Sequence, residues 1–236
     1  MKKFILIVLL FVAFKGYAQV QKTTTKITDK TIVKDQDGTT YPYAVWSKLL
    51  ESGLYSLKPT QGDEFLLHRL TPEQAEKNIE NRKKAILEMP KPRGSEVFVE
   101  GEKFRADRFT SLDNTKFDLK KVTDKIYVLN FWFINCPPCK KEIPELNNLV
   151  KQYKDNKEVV FLAIALDQNS DLKDFLKTMP FDYNIIPDGR YYAQKYGVKS
   201  YPTHVIIGKD GLIKFSTIGL APNTVSWIGK TIAAQL

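Results

Sequence analysis

The chain's only two cysteines, Cys136 and Cys139, fall where a run that reads as a buried strand gives way to one that reads as a helix. Ile126 to Ile134 is β-rich and apolar, interrupted only by Asn130, the pattern of a strand covered on both faces. Beyond the cysteines, Ile143, Leu146, Leu149, Val150 and Tyr153 recur at helical spacing. Pro137 and Pro138 suit the first turn of that helix, where backbone N–H groups have no intrahelical partner to lose. Cys136 is thereby placed at the helix N-terminus, where free amides and the dipole favour a thiolate, with Cys139 one turn away. Such a pair is suited to opening and closing as a disulfide. A purely structural disulfide gains little here, because so small a loop removes little entropy from the unfolded chain. A zinc site would need further ligands, and only His68 and His204 exist.

The N-terminus reads as an export signal. Lys2 and Lys3 precede the apolar run Phe4 to Phe14, and Gly16 and Ala18 give a small-x-small cleavage pattern, with cleavage expected after Ala18. The run is short for a membrane span, so the mature protein is expected in the periplasm without stable membrane insertion. Removing Lys2, Lys3 and Lys15 lowers the formal net charge from +9 to +6. Basic residues are interleaved with acids, which describes a solvated surface and excludes a nucleic-acid stripe.

Residues 19–95 form an accessory module without a chemical motif. It holds a weak strand around Ile27 to Val33, a turn at Asp35-Gln36-Asp37-Gly38, and a short helix from Pro42 to Glu51 expected to bury Tyr43, Trp46 and Leu50. A second helix is expected from the capping box Thr71-Pro72-Glu73-Gln74 to about Glu88. Pro90, Pro92 and Gly94 then mark a boundary, and residues 96–236 form the second domain. There, a hairpin turning at Asp113-Asn114 precedes the strand and the cysteine helix. A strand from Val159 to Leu166 follows, then a helix capped by Ser170 or Asp171, and an extended segment from Tyr183 to Ile186. The reading ends with a short helix stopping at Gly197, a Thr203–Ile207 strand hairpinned to Leu212–Ile218, and a last helix capped by Asn223. The expected fold class is α/β, a central mixed sheet flanked by helices, with a small N-terminal α+β extension.

The core Phe131-Trp132-Phe133-x-x-Cys136-Pro137-Pro138-Cys139, Pro144, Tyr196-Gly197-Val198 and Tyr201-Pro202-Thr203, followed by the Gly208-to-Gly219 hairpin, resemble the TlpA/ResA-like thiol-disulfide oxidoreductases of the thioredoxin superfamily. The resemblance covers about residues 97–236. It implies a thioredoxin-like fold and an exported enzyme, with Cys136 as the attacking thiolate and Cys139 as the resolving one. No cofactor is expected beyond the redox-active disulfide, and no metal. The implied partners are cysteine-containing exported proteins and a membrane or periplasmic thiol electron donor. Tyr201–Pro202 should be a cis peptide beside the disulfide, and Tyr201, Pro202, Trp132, Pro137 and Pro138 are the candidate substrate contacts, although Trp132 reads more readily as core.

Glu142 stands three residues after Cys139, where ResA-like proteins carry an acid. It either relays protons and raises a thiol pKa, or is an exposed helix charge. Asn130 occupies the position at which thioredoxin has a buried acid, and Asn135 replaces the Trp that commonly precedes the first cysteine. Cys136 is expected to be the more exposed sulfur. The two prolines remove amides facing the thiolate and favour the disulfide, hence a reductant, while the helix dipole acts the other way. A disulfide oxidase or isomerase of the same fold is the alternative. A thiol peroxidase fits less well, since Phe133 stands where a Thr-x-x-Cys pattern needs Thr. A copper-binding Sco-like module would need a Cys-x-x-x-Cys spacing, and His204 is better explained as a core or surface histidine on its strand.

Overall fold

The computed structural model describes residues 27–60, 63–120 and 124–236, and the chain divides into two units, Met1–Glu80 and Asn81–Leu236. The expected export signal, residues 1–18, lies outside the described residues. No helix among the described residues is long and apolar enough to cross a membrane.

The first unit comprises β1 (Ile32–Lys34), β2 (Thr40–Tyr41), α1 (Tyr43–Glu51), β3 (Tyr55–Pro59), β4 (Glu64–Arg69) and the start of α2 (Pro72–Glu88). Its sheet runs β2-β1-β4-β3, with β1 and β4 parallel and the outer pairs antiparallel. Val33, Phe65 and Leu67 come to one face by strand alternation and close around Trp46 of α1. Tyr43, expected to be buried, is 50% exposed. It lies at the first position of α1, and its ring meets Trp46 edge-on with centroids 5.0 Å apart. The capping box forms as read, with Gln74 N–H donating to Thr71 Oγ1 and Thr71 N–H to Gln74 Oε1.

The second unit holds β5 (Arg108–Thr110), β6 (Lys116–Asp118), β7 (Ile126–Trp132), α3 (Pro137–Gln152), β8 (Val159–Ala165), α4 (Asn169–Thr178), β9 (Asn184–Ile186), α5 (Arg190–Tyr196), β10 (Thr203–Ile207), β11 (Ile213–Ile218) and α6 (Thr224–Ala233). The β5–β6 hairpin turns through Asn114 at φ 66°, and α5 stops at Gly197 in the left-handed region, φ 76°. The main sheet runs β11-β10-β7-β8-β9, parallel across β7, β8 and β9 and antiparallel at β10 and β11. β7 is central and buried at every position. Ile126, Val128 and Trp132 share a core with α3, α4 and α6, while Tyr127, Leu129 and Phe131 share one with α5 and the 98–109 segment. Both sheet edges are covered. The 93–104 segment bonds along β11 through Gly101 N–H to Ile213 O, Ile213 N–H to Glu102 O and Phe104 N–H to Gly211 O, and Leu112 N–H bonds to Ile185 O on β9.

Two expected caps take other roles. Neither Ser170 nor Asp171 caps α4, which starts at Asn169 after Gln168, so both side chains fall inside its first turn. Asn223 precedes α6 but makes no cap bond; its amide donates to Met89 O and Pro90 O.

Candidate active site

The turn from β7 into α3 is held before any cysteine chemistry begins. Ile134 N–H donates to Asp167 Oδ2 at 2.8 Å, Leu166 N–H to Trp132 O at 3.0 Å, and Cys136 N–H to Phe133 O at 3.2 Å. Asp167 is itself fixed, because its carbonyl accepts Asp188 N–H. Cys136 then takes extended angles, φ −101° and ψ 99°, and becomes the N-cap of α3. Pro137 and Pro138 have no N–H, so the first amide of the helix is that of Cys139. That amide donates to Cys136 Sγ at 3.3 Å, a side-chain sulfur acting as the cap acceptor.

Cys136 and Cys139 are joined as a disulfide. The expected difference in exposure is absent, since Cys136 is 2% and Cys139 1% exposed. Both sulfurs belong to the core shared with Trp132, and Phe133, Ile134 and Tyr201 pack against it. What distinguishes them is the hydrogen bond received by Cys136 alone. Phe133 and Tyr201 meet edge to face with centroids 5.4 Å apart, Tyr201–Pro202 is cis, and Pro202 is buried. Pro137 is exposed and Pro138 half-buried. Trp132 is not a substrate contact: it is fully buried between Phe175 and Phe181, with centroids at 5.5 and 5.4 Å, because strand alternation turns it under α3 and α4.

Glu142 is 3% exposed, which excludes an exposed helix charge. Helical spacing places it on the buried stripe of Cys139, Ile143, Leu146 and Leu149, one turn beyond Cys139. Its Oε1 lies 2.8 Å from Nε2 of His204, which is completely buried on β10. His204 is thus a core histidine, paired in register with Asn130 of β7, so the amide and the imidazole are cross-strand neighbours. Among the described residues, Asn130 Oδ1, Glu142 Oε2, His204 Nδ1 and Tyr183 Oη are buried without a hydrogen-bond partner. Burial, with a smaller contribution from the Glu142 charge, raises the Tyr183 hydroxyl pKa well above its usual value, so Tyr183 stays neutral. Reading the sequence alone missed this pairing. Glu142 and His204 are 62 residues apart, and only the β7–β10 register brings the imidazole beneath α3. Among the described residues no cluster of His, Cys, Asp or Glu could hold a metal ion.

Residues 101–216 match the model of the AhpC/TSA family. The chain is 35% identical to the thiol-disulfide oxidoreductase ResA of Bacillus anthracis over 112 residues, 47% of this chain and 64% of that protein. It is 30% identical to the thioredoxin-like protein YneN of Bacillus subtilis over 122 residues, 51% of this chain and 72% of that protein. The chain belongs to the thioredoxin-like family. ResA-type thiol-disulfide oxidoreductases are among its relatives, and the matched stretch spans slightly under two thirds of the length of the ResA protein. The solved structure of a putative thiol:disulfide interchange protein DsbE from Chlorobium tepidum shares the thioredoxin-like fold at a TM-score of 0.52 and 24% identity, covering 58% of this chain and 98% of that one. A putative protein disulfide isomerase from Bacteroides thetaiotaomicron does so at 0.54 and 20% identity, covering 62% and 94%. The α/β architecture expected from the sequence is therefore the thioredoxin-like one, with Cys136 at the start of α3.

Proposed function

We propose that this chain is an exported thiol-disulfide oxidoreductase that exchanges its Cys136–Cys139 disulfide with cysteine-containing proteins, acting as a reductant. The observation that carries the reading is the cap geometry, in which the first available amide of α3 donates to Cys136 Sγ and so favours negative charge on that sulfur. In the reducing direction, the Cys136 thiolate attacks a substrate disulfide, forming a mixed disulfide and releasing one substrate thiolate. Cys139 then loses its proton and attacks Cys136 Sγ, closing the intramolecular bond and expelling the second substrate thiolate. The substrate gains two electrons and the enzyme loses two, which a membrane or periplasmic thiol donor restores. No cofactor beyond the disulfide is required.

Tyr201, Pro202, Pro137 and Pro138 form the substrate-facing surface, and Glu142 serves proton movement at Cys139. Cleavage after Ala18 releases the protein into the periplasm, and residues 19–95 act as an accessory module for packing or partner docking. The relationship to ResA, named a thiol-disulfide oxidoreductase, supports exchange chemistry rather than copper binding or peroxidase activity. Against a peroxidase, Phe133 lies three residues before Cys136 in place of Thr.

The test uses two variants and one potential. Cys136→Ser abolishes reduction of a protein disulfide, whereas Cys139→Ser accumulates mixed disulfides on Cys136. Equilibration with dithiol buffers gives a potential near the thioredoxin value of about −270 mV for a reductant. A value near about −120 mV would assign the oxidase role instead. A Cys136→Ser protein that still reduces substrate refutes the nucleophile assignment.

A further inference from the structure

The buried polar group beneath α3 has a single internal hydrogen bond and, among the described residues, four atoms without a hydrogen-bond partner. The bond fixes the tautomer. A proton on His204 Nδ1 would be a buried donor with nothing to donate to, whereas a proton on Nε2 is 2.8 Å from Glu142 Oε1 and leaves Nδ1 as a bare acceptor. Donation from Nε2–H to Oε1 fixes the orientation of the Glu142 carboxyl group beneath α3. The second carboxylate oxygen, Oε2, accepts no hydrogen bond from the described residues.

We propose that His204 is a positioning residue for disulfide exchange: its Nε2–H orients the Glu142 carboxylate so that Oε2 takes the proton from Cys139 when Cys139 attacks the mixed disulfide. The inference rests on the exchange reading above and names the residue that makes the proton step possible. The Cys139 S–H bond breaks, and its proton passes to Glu142 Oε2. The sulfur's electron pair forms the Cys139–Cys136 bond while the bond from Cys136 to the substrate sulfur breaks, and the substrate leaves as a thiolate. Glu142 returns its proton to solvent or to the departing thiolate.

The neighbouring groups leave the task to this pair. Glu142's own helix contributes Cys139, the half-buried Lys140, the exposed Lys141 and Glu145, whose carboxyl pKa is raised by burial and by the Glu142 charge, and the segment before β9 contributes Tyr183, which stays neutral. β7 brings the uncharged amide of Asn130, β10 carries no ionisable residue besides His204, and the one charged residue of α6 is the exposed Lys230. Among these elements no cation but a protonated His204 could face the carboxylate from the sheet.

The experiment mixes the fully reduced protein with 5,5′-dithiobis(2-nitrobenzoate) and follows thionitrobenzoate release from pH 5 to pH 9. The first equivalent reports attack by Cys136, and the second reports attack by Cys139 on the resulting mixed disulfide. His204→Leu slows the second phase roughly tenfold across this range, while the first phase is unchanged. His204→Gln, whose amide can donate from the same position as Nε2, keeps the second phase within about twofold of the parent. Equal second phases in the parent and His204→Leu overturn the proposal, as do equally slow ones in the Leu and Gln variants, or a loss common to both phases. A parent protein with no second phase refutes the exchange reading itself.

Discussion

Removing only one half of the Glu142–His204 pair should cost far more than removing both. The carboxylate and the imidazole are 3% and 0% exposed, so neither can turn to water when its partner is lost. His204→Leu leaves a buried carboxylate with no donor, and stranding a charged acceptor in this way costs about 3 kcal/mol or more. Glu142→Leu removes the charge but strands the Nε2–H of His204, a buried unmet donor worth about 1–3 kcal/mol, offset by relief from burying the carboxylate. Replacing both residues by leucine removes the charge and both stranded groups, and apolar replacement of a buried pair ranges from neutral to stabilising by about 1–4 kcal/mol. The cycle therefore has a coupling energy of several kcal/mol with the double variant the most stable of the three. Hydrogen exchange of the slowest β7 and β10 amides, measured on the oxidised protein, reads this in the second unit alone. Opening energies in which His204→Leu lies within about 1 kcal/mol of the parent, or in which the double variant loses as much as the singles combined, would show that the pair is not a closed buried unit.

Two further outcomes follow from packing and charge. Gly189→Ala places a Cβ 2.7 Å from Ala165 O and 2.6 Å from Ile164 Cγ2, and Gly189 N–H already bonds to that carbonyl. Because a backbone oxygen cannot step aside, the substitution costs about 1–3 kcal/mol in chemical denaturation, and an unchanged midpoint would refute the close approach. Burial raises the Asp107 carboxyl pKa, but hydrogen bonds from Lys195 and from Arg108 N–H outweigh it and hold the pKa below the ordinary 3.8. Stability from Asp107 is thus present above pH 3.8 and lost as pH falls through the lower native value. Asp107→Asn should be less stable than the parent by about 1–3 kcal/mol at neutral pH, and the deficit should close in strong acid; a pH-independent deficit would refute the ionic origin.

The parts of the fold that were legible in the sequence are those whose signal is local. β7 announces itself by an apolar run, α3 by its 3-and-4 spacing after Cys136-Pro137-Pro138-Cys139, and the end of α5 by Gly197 at φ 76°. In the first unit, β3 and β4 were not read from the sequence. Tyr55–Pro59 carries Lys58 and a terminal proline, and Glu64–Arg69 mixes charges with Phe65 and Leu67, so their pairing is visible only once Val33 and Trp46 supply the other side of the core. Asn223 had the residue type and the position of a cap, but the carbonyls of Met89 and Pro90 take its amide. A distant acceptor overrode a local preference.

The same division runs through the active site and decides what kind of inference each residue supports. The cysteines and Tyr201–Pro202 are recognisable from neighbours in sequence, because the cap and the turn are built from contiguous residues. Glu142 was legible only as a choice between a buried acid and a surface charge, since helical spacing fixes which side chains share its face but not what lies beneath them. The answer comes from β10. Thr203 pairs with Phe131 and His204 with Asn130, and a shift of one residue would turn Thr203 and Val205 toward α3 and His204 toward the other core. The register that places Pro202 beside the end of β7 is therefore the register that places His204 under Glu142. In this chain a single strand alignment, set by the antiparallel β7–β10 ladder, places both the cis proline and the buried partner of the carboxylate.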